Sequence, residues 1–531
     1  MPDTFRRLVP GVLLVIVLVP AAAFAQAAPA PPGQQNASVR RLSVEDAVRL
    51  ALEQNLTLQV QRLNPQIQDL AVEQARTVWT PTISSTLSNS ASTSPVSSFL
   101  SGASDQLTNK NFGVSVQESQ ALPWWGSNYS VTWRNTRAED NSVFSSPNPS
   151  LSSNLSVSLT QPLLRNFKID GNRQQLLVSK KNREMSDVQL RQTVLTTIRN
   201  VKSAYWDLAY AVENLKVQQQ SLGIARESLR DNKSRVAVGT MAPIDIVEAE
   251  AEVARNEEAV IVAEAQITRA EDALRQLVFD PKVADFWGMT FELTDTPTFR
   301  PQDVDVNAAV RAALDKRTDI VNMRKSLESA DIGIRYYKNQ TLPDLNVQAG
   351  YGLSGQGGTS YTFNDSFPPV PTSVVEHGFG SVLSQMFSNE FHNWSLAVTV
   401  AYPIGRSNAE AALARAKVSY SQSELQLRSL ELSVATQVRE VARTLNTNRK
   451  RVDATRVSRG LAERKLVAEQ KKFEAGMSDN FHVIQAQRDL ASARNAELQA
   501  VLDYNRSLVD FETVQGAPLN GGGIALGTAG Q

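Results

Sequence analysis

Cysteine is absent from this chain of 531 residues, which excludes disulfides, thiol nucleophiles, cysteine-bound metals and lipid attachment through a cysteine. Histidine is scarce. His377, His392 and His482 share no spacing that a metal ion would use, so neither a metal nor a cofactor is expected. GxSxG, HExxH and P-loop signatures are missing as well, and the glycine clusters at 355–358 and 521–523 read as loop and tail, so catalysis finds no support. Charge of one sign is lacking: 54 Lys and Arg offset 54 Asp and Glu, which argues against nucleic acid or an anionic surface as an electrostatic partner. Long apolar runs are confined to the first residues. No later stretch approaches the roughly 20 apolar residues of a membrane helix, so a mature form that crosses a bilayer must do so with strands.

The start has Arg6 and Arg7, an apolar run over 12–19, and Ala23, Phe24 and Ala25 before Gln26. That is the layout of a secretory signal over 1–25, and it sends the mature chain out of the cytoplasm. Residues 26–40, mostly Ala, Pro, Gln and Gly, read as a disordered leader.

The most ordered pattern surrounds the stretch VGTMAP, 238–243. A helical arm over about 173–235 enters it with Ile198, Val201, Tyr205, Leu208 and Val212 on one seam at coiled-coil spacing. A second arm leaves with Ile246, Val253, Val260, Ile267 and Leu274 recurring every heptad, and small Ala249, Ala263 and Ala270 between them allow close approach. Gly239 permits the backbone to turn, and Pro243 suits a first helical turn. The design recurs, with Gly476 matching Gly239 and an arm over 408–474 carrying Val434, Val438, Val441, Leu445 and Val452.

The duplication extends upstream. Val44, Ala47, Val48, Arg49, Ala51, Leu52, Arg62, Asp69 and Pro81 reappear in ungapped register from Val306 to Pro343. The spacing predicts one helix over about 43–78, capped by Ser43 and stopped before Pro81, and its copy in the second half. After each proline the period changes to two: Ile83 and Leu87 in one copy, Leu345, Val347, Ala349, Tyr351 and Leu353 in the other. Leu155, Val157 and Leu159 precede Pro162, and Trp394, Leu396, Val398 and Val400 precede Pro403. Strands with one apolar and one small-polar side suit a membrane β-barrel, although a half-exposed sheet has the same alternation. Phe112, Val114, Val116 and Tyr129, Val131, Trp133 flank LPWWG as an additional hairpin without a counterpart, and the polar segments 90–109, 138–153 and 354–390 read as long surface loops.

These boundaries give a first repeat over 41–280, a linker over 281–303, a second repeat over 304–516 and a flexible tail over 517–531. The long arm would span roughly 94 Å and each shorter helix roughly 56 Å, so two short helices stacked end to end approximately match one long one. Four strands per chain cannot close a barrel alone, because even eight are only wide enough to hold side chains. A cyclic homotrimer with twelve strands and twelve helical columns would remove the sheet edges and enclose a pore. The expected fold is therefore mainly α with membrane β: a trimeric 12-stranded barrel continued by a long coiled-coil tunnel.

The order VEDAVRLAL, helix, Pro, strand, loop, strand ending LTQPLL, long helix, VGT turn and returning helix, then repeated, resembles the TolC-type outer-membrane efflux proteins over about 42–515. The resemblance implies an outer-membrane protein extending into the periplasm, working with a periplasmic adaptor and an inner-membrane transporter, with outer-membrane lipid around its strands. By position it assigns adaptor contact to Val238, Gly239 and Thr240 and to Ala475, Gly476 and Met477. It places the periplasmic entrance at Asp245, Glu248, Ser478, His482 and Gln485. Here the chain departs from the family pattern: Ser478 stands where a tethering arginine belongs, and His482 and Gln485 occupy acidic-ring positions.

Plainer readings accompany these assignments. Asp245 and Glu248 suit a helix start through the dipole alone, whereas three copies around an axis would favour cations. His482 is either a pH-responsive constriction or a surface histidine at a turn. Trp394 suits an interfacial aromatic belt; Trp124 and Trp125 fit a belt or a packed loop. Three functions remain: an export duct for small molecules, a duct for secreted polypeptides, and a periplasmic scaffold without a pore.

Overall fold

The computed structural model describes residues 39–96, 106–282, 286–364 and 370–516. The expected signal over 1–25, the expected leader up to residue 38 and the tail over 517–531 lie outside them. Strand β1 (Val39–Leu42) pairs in parallel with β6 (Thr290–Leu293), so the end of the segment read as disordered and part of the linker are joined in a small sheet. Both strands are too short to show a period, which is why composition alone misread them.

The opening helix is not continuous. It breaks at Asn55 into α1 (Val44–Gln54) and α2 (Leu56–Arg76). Asn55 caps α2 by accepting from the Leu58 N–H, and its Nδ2 donates to the Leu277 carbonyl at 2.8 Å. The amide therefore compensates the lost helical bond and fixes the break against the neighbouring arm. The copy breaks at the corresponding Arg317, between α5 (Val306–Lys316) and α6 (Thr318–Gln340).

Helix α3 (Gly171–Ala237) and helix α8 (Asn408–Glu474) are each 67 residues long, and their returning partners α4 (Ile244–Val278) and α9 (Asn480–Val514) are each 35. In the upper half, neighbours run α2, α3, α6, α8; in the lower half they run α4, α3, α9, α8. Four helical columns thus stand side by side at both levels, with short helices stacked end to end beside long ones, as the length argument required. Two apolar cores sit where the stacks meet. One gathers Val201, Tyr205 and Leu208 with Ala47, Leu274, Phe279 and Phe291; the other gathers Val438 and Leu445 with Ala313, Tyr504 and Phe511. Each core carries one buried tyrosine that ties a connecting segment down: Tyr205 donates to the Leu42 carbonyl at 3.0 Å, and Tyr504 to the Arg300 carbonyl at 2.8 Å. Burial pushes the Tyr205 hydroxyl up to about 12, so it remains a donor. Ion pairs Arg199–Asp510, Lys202–Glu512 and Asp207–Arg506 bind α3 to α9 and so join the repeats.

The sheet departs most from expectation. In order, β2 (Thr82–Pro95), β3 (Gln106–Ala121), β4 (Asn128–Asp140), β5 (Ser150–Pro162) and β7 (Asp344–Phe363) are neighbours, all antiparallel. The far edge of β7 pairs with β9 (Phe391–Ala401) along its lower part and with β8 (Pro371–His377) along its upper part. Each described chain therefore spreads six strands across instead of the four expected. The polar segments read as loops are partly strand, mainly at their ends, because above the apolar band both faces are polar and the alternation fades while the backbone ladder continues. A short helix, α7 (Phe379–Phe387), rests Val382 and Met386 against the sheet, with Gly355 approached so closely that a Cβ would lie 2.1 Å from the Val382 carbonyl oxygen. No described helix is long and apolar enough to cross a membrane.

Candidate functional site at the repeated turns and the sheet faces

In an antiparallel ladder, residues directly opposite share a face. Following the register, Leu87, Val114, Val116, Val131, Trp133, Leu155, Val157, Tyr351, Trp394, Leu396 and Val398 all stand on one side. The other side carries Ser84, Thr86, Ser115, Thr132, Ser156, Gly350 and Ser395, with Arg134 as a charge in mid-sheet. Trp394 lies opposite Tyr351 on the apolar side and is 73% exposed. Trp125 at the β3–β4 turn stacks on Phe167 and remains more than half exposed, so it both packs the loop and faces outward.

At the other end of the helices the two turns are copies in their bonds as well as their letters. Val238, Gly239 and Thr240 donate their N–H groups to Ser234, Val236 and Arg235; Ala475, Gly476 and Met477 donate to Lys471, Phe473 and Lys472. Gly239 has φ +78° and Gly476 φ +73°, the left-handed region that glycine adopts without penalty. Neither glycine has any atom within 4 Å of where a Cβ would stand. Val238 and Met477, 73% and 74% exposed, present apolar surface outward.

Every second-turn residue that the resemblance assigned to an entrance is held by an acid. Ser478 donates to Glu469 at 3.1 Å, the His482 ring nitrogen lies 2.6 Å from Asp479, and Gln485 donates to Asp489 at 2.9 Å. Lys472, and then Ser478, hold the Glu469 carboxyl below its usual range; the His482 backbone N–H does the same for Asp479, and Lys465 for Asp489. The positions read as departures from an acidic ring therefore stand beside carboxylates that stay ionised. Across the first turn, Asp245 and Glu248 have no ion-pair partner among the described residues.

Contacts that the sequence reading missed join the two hairpins. Arg235 lies over the Phe473 ring at 4.7 Å, Asn232 donates to Asn480 at 2.9 Å with both residues buried, and Arg488 donates to Glu252 at 2.7 and 2.9 Å. Glu252 is 7% exposed and also accepts from Arg255 and Asn256, beside a cavity of about 160 Å³ that Ser221, Leu466 and Arg494 also line. A signal was present: counted from the glycine turns, Glu252 and Arg488 occupy nearly the same place on the two returning arms, so opposite charges meet where the copies face each other.

Comparison with known proteins accords with this architecture. The family model described as outer membrane efflux protein matches residues 128–278 and 309–517. Outer membrane protein TolC of Escherichia coli (strain K12) is 23% identical over 408 residues, covering 76% of each chain. Among solved structures, CusC superposes with a TM-score of 0.63 at 14% identity, over 90% of this chain and 92% of that one. The Campylobacter jejuni CmeC outer membrane channel gives 0.63 at 14% identity, over 89% and 85%. With both halves matched and the fold shared, this chain belongs to the outer membrane efflux protein family and is a TolC-type outer-membrane efflux channel.

Proposed function

We propose that three copies of this chain form the outer-membrane duct of a tripartite efflux system, carrying small exported molecules from an inner-membrane transporter across periplasm and outer membrane. The sheet lies in the outer membrane, its apolar face against lipid, and the helices continue the duct into the periplasm. Val238, Gly239 and Thr240, with Ala475, Gly476 and Met477, receive the hairpins of a periplasmic adaptor, and Asp245, Glu248, Ser478, His482 and Gln485 surround the entrance. The observation that carries this reading is a single sheet with one apolar and one hydroxyl-rich face, standing on helices that end in two copies of one turn. Water against one face and lipid against the other is the environment such a sheet requires.

A side chain placed at either turn glycine points into open space, so it obstructs a partner at a local conformational cost of about 1–2 kcal/mol. Replacing both Gly239 and Gly476 by Trp is expected to leave detergent-extracted trimers intact and to reduce co-purification with the adaptor at least tenfold. Undiminished capture would overturn the docking assignment; a monomeric wild-type extract would overturn the duct. A duct for secreted polypeptides shares this geometry, and a strain lacking the gene separates the two by drug susceptibility against secreted-protein profile. A scaffold without a pore leaves the apolar sheet face without an environment.

A further inference from the structure

We infer that β3 and β4 are wall strands, so that three chains close a barrel of eighteen strands whose bore matches the helical tunnel beneath it. This rests on the trimeric duct proposed above. The hairpin is joined to the sheet on both sides along its length, from Thr82 opposite Ser119 to Pro95 opposite Gln106, and from Asn128 opposite Thr160 to Ala138 opposite Ser150. Its side chains keep the alternation of the whole sheet: Val114, Val116, Val131 and Trp133 join the apolar face, Ser115 and Thr132 the polar one. A hairpin folded away from the wall would break both ladders and carry those apolar side chains into water.

Width gives the consequence. Four helical columns at about 8–10 Å each make a wall about 32–40 Å wide per chain. Strands about 4.8 Å apart and tilted about 40° occupy about 6.3 Å each along the circumference, so six span about 38 Å and four only about 25 Å. Six strands continue the wall without a taper, whereas four would narrow it by about a third. Closed, the backbone cylinder measures about 36 Å across instead of about 24 Å, and side chains reduce these to clear bores of about 26 and 14 Å. The polar face is lined by hydroxyl, amide and glycine residues, and Arg134 is the charge between Asp344 at the lower end and Asp140 at the upper one. Such a barrel does not sieve cargo by size, and bulky solutes admitted at the turns leave through it freely.

Cryo-electron microscopy of the detergent-extracted wild-type trimer is expected to show eighteen strands. In planar bilayers, neutral polyethylene glycols about 20 Å in hydrodynamic diameter, added on the extracellular side, are expected to enter the wild-type barrel and lower its conductance. They should be excluded from a variant lacking residues 106–149, in which residues 96–105 join β2 to an antiparallel β5. A trimeric pore with twelve strands and the hairpin outside the wall would overturn the inference while leaving the duct standing. Absence of a pore or of a trimer would overturn both.

Discussion

The helical and membrane-facing layers of this chain treat the same duplication differently. Arms of 67 and 35 residues recur without a residue's difference in helix length, and the turns repeat the same three backbone bonds. The sheets, by contrast, hold four strands from the first repeat and three with a short helix from the second. Helical arms are constrained because their ends must meet at one level and their seams must stay in register with a neighbour along the whole length. A β-hairpin can be added in pairs, since it brings its own ladder and, if its alternation is right, its own two faces.

The strongest test of that contrast lies in the helical cores. Leu208 and Leu445 hold matching places on the two long arms, and both are buried. Leu208→Ala and Leu445→Ala should each lower stability by about 2–5 kcal/mol, read as thermal unfolding in detergent. Costs differing by more than about 2 kcal/mol would break the claim that the helical copies are equivalent.

A sharper and smaller effect concerns the place where the copies meet. Glu252→Arg or Arg488→Glu sets like charges together in a largely buried contact and should cost about 2 kcal/mol, with the single-channel conductance raised. The double exchange should reverse most of both changes. Failure of the exchange to reverse either would mean that the pair does not act as a unit.

The smallest effect separates the turns. Asp479 caps α9 with a carboxyl held below its ordinary range, whereas Pro243 at the start of α4 offers no side-chain acceptor. A depressed native value means that the cap contributes fully above the ordinary Asp range and is lost as pH falls through the lowered value. Hydrogen exchange, corrected for intrinsic rates, should therefore rise at residues 479–483 below about pH 4, with no such rise at 243–247. Parallel behaviour of both turns would remove this distinction.

Much of the architecture was legible along the chain because it depends on short-range order. Heptads of Val and Ile fixed the arms, Gly239 and Gly476 fixed the turns, and Pro81 and Pro343 marked where helix gives way to strand. The break at Asn55 escaped notice because asparagine is also tolerated inside a helix, and only the Leu277 carbonyl on a distant arm makes it a cap. Upper strand segments escaped because polar residues on both faces leave no period to read.

Sequence by itself determined the duplication, the helical seams, the turn chemistry and the presence of two-faced strands, all of which arise from contacts within a few residues. Tertiary structure alone decided that β3 and β4 stand between β2 and β5, that Arg488 reaches Glu252, and that Ser478, His482 and Gln485 each bond an acid. Those outcomes depend on strand register and on how separate helices meet, which are properties of long-range pairing that no local pattern encodes.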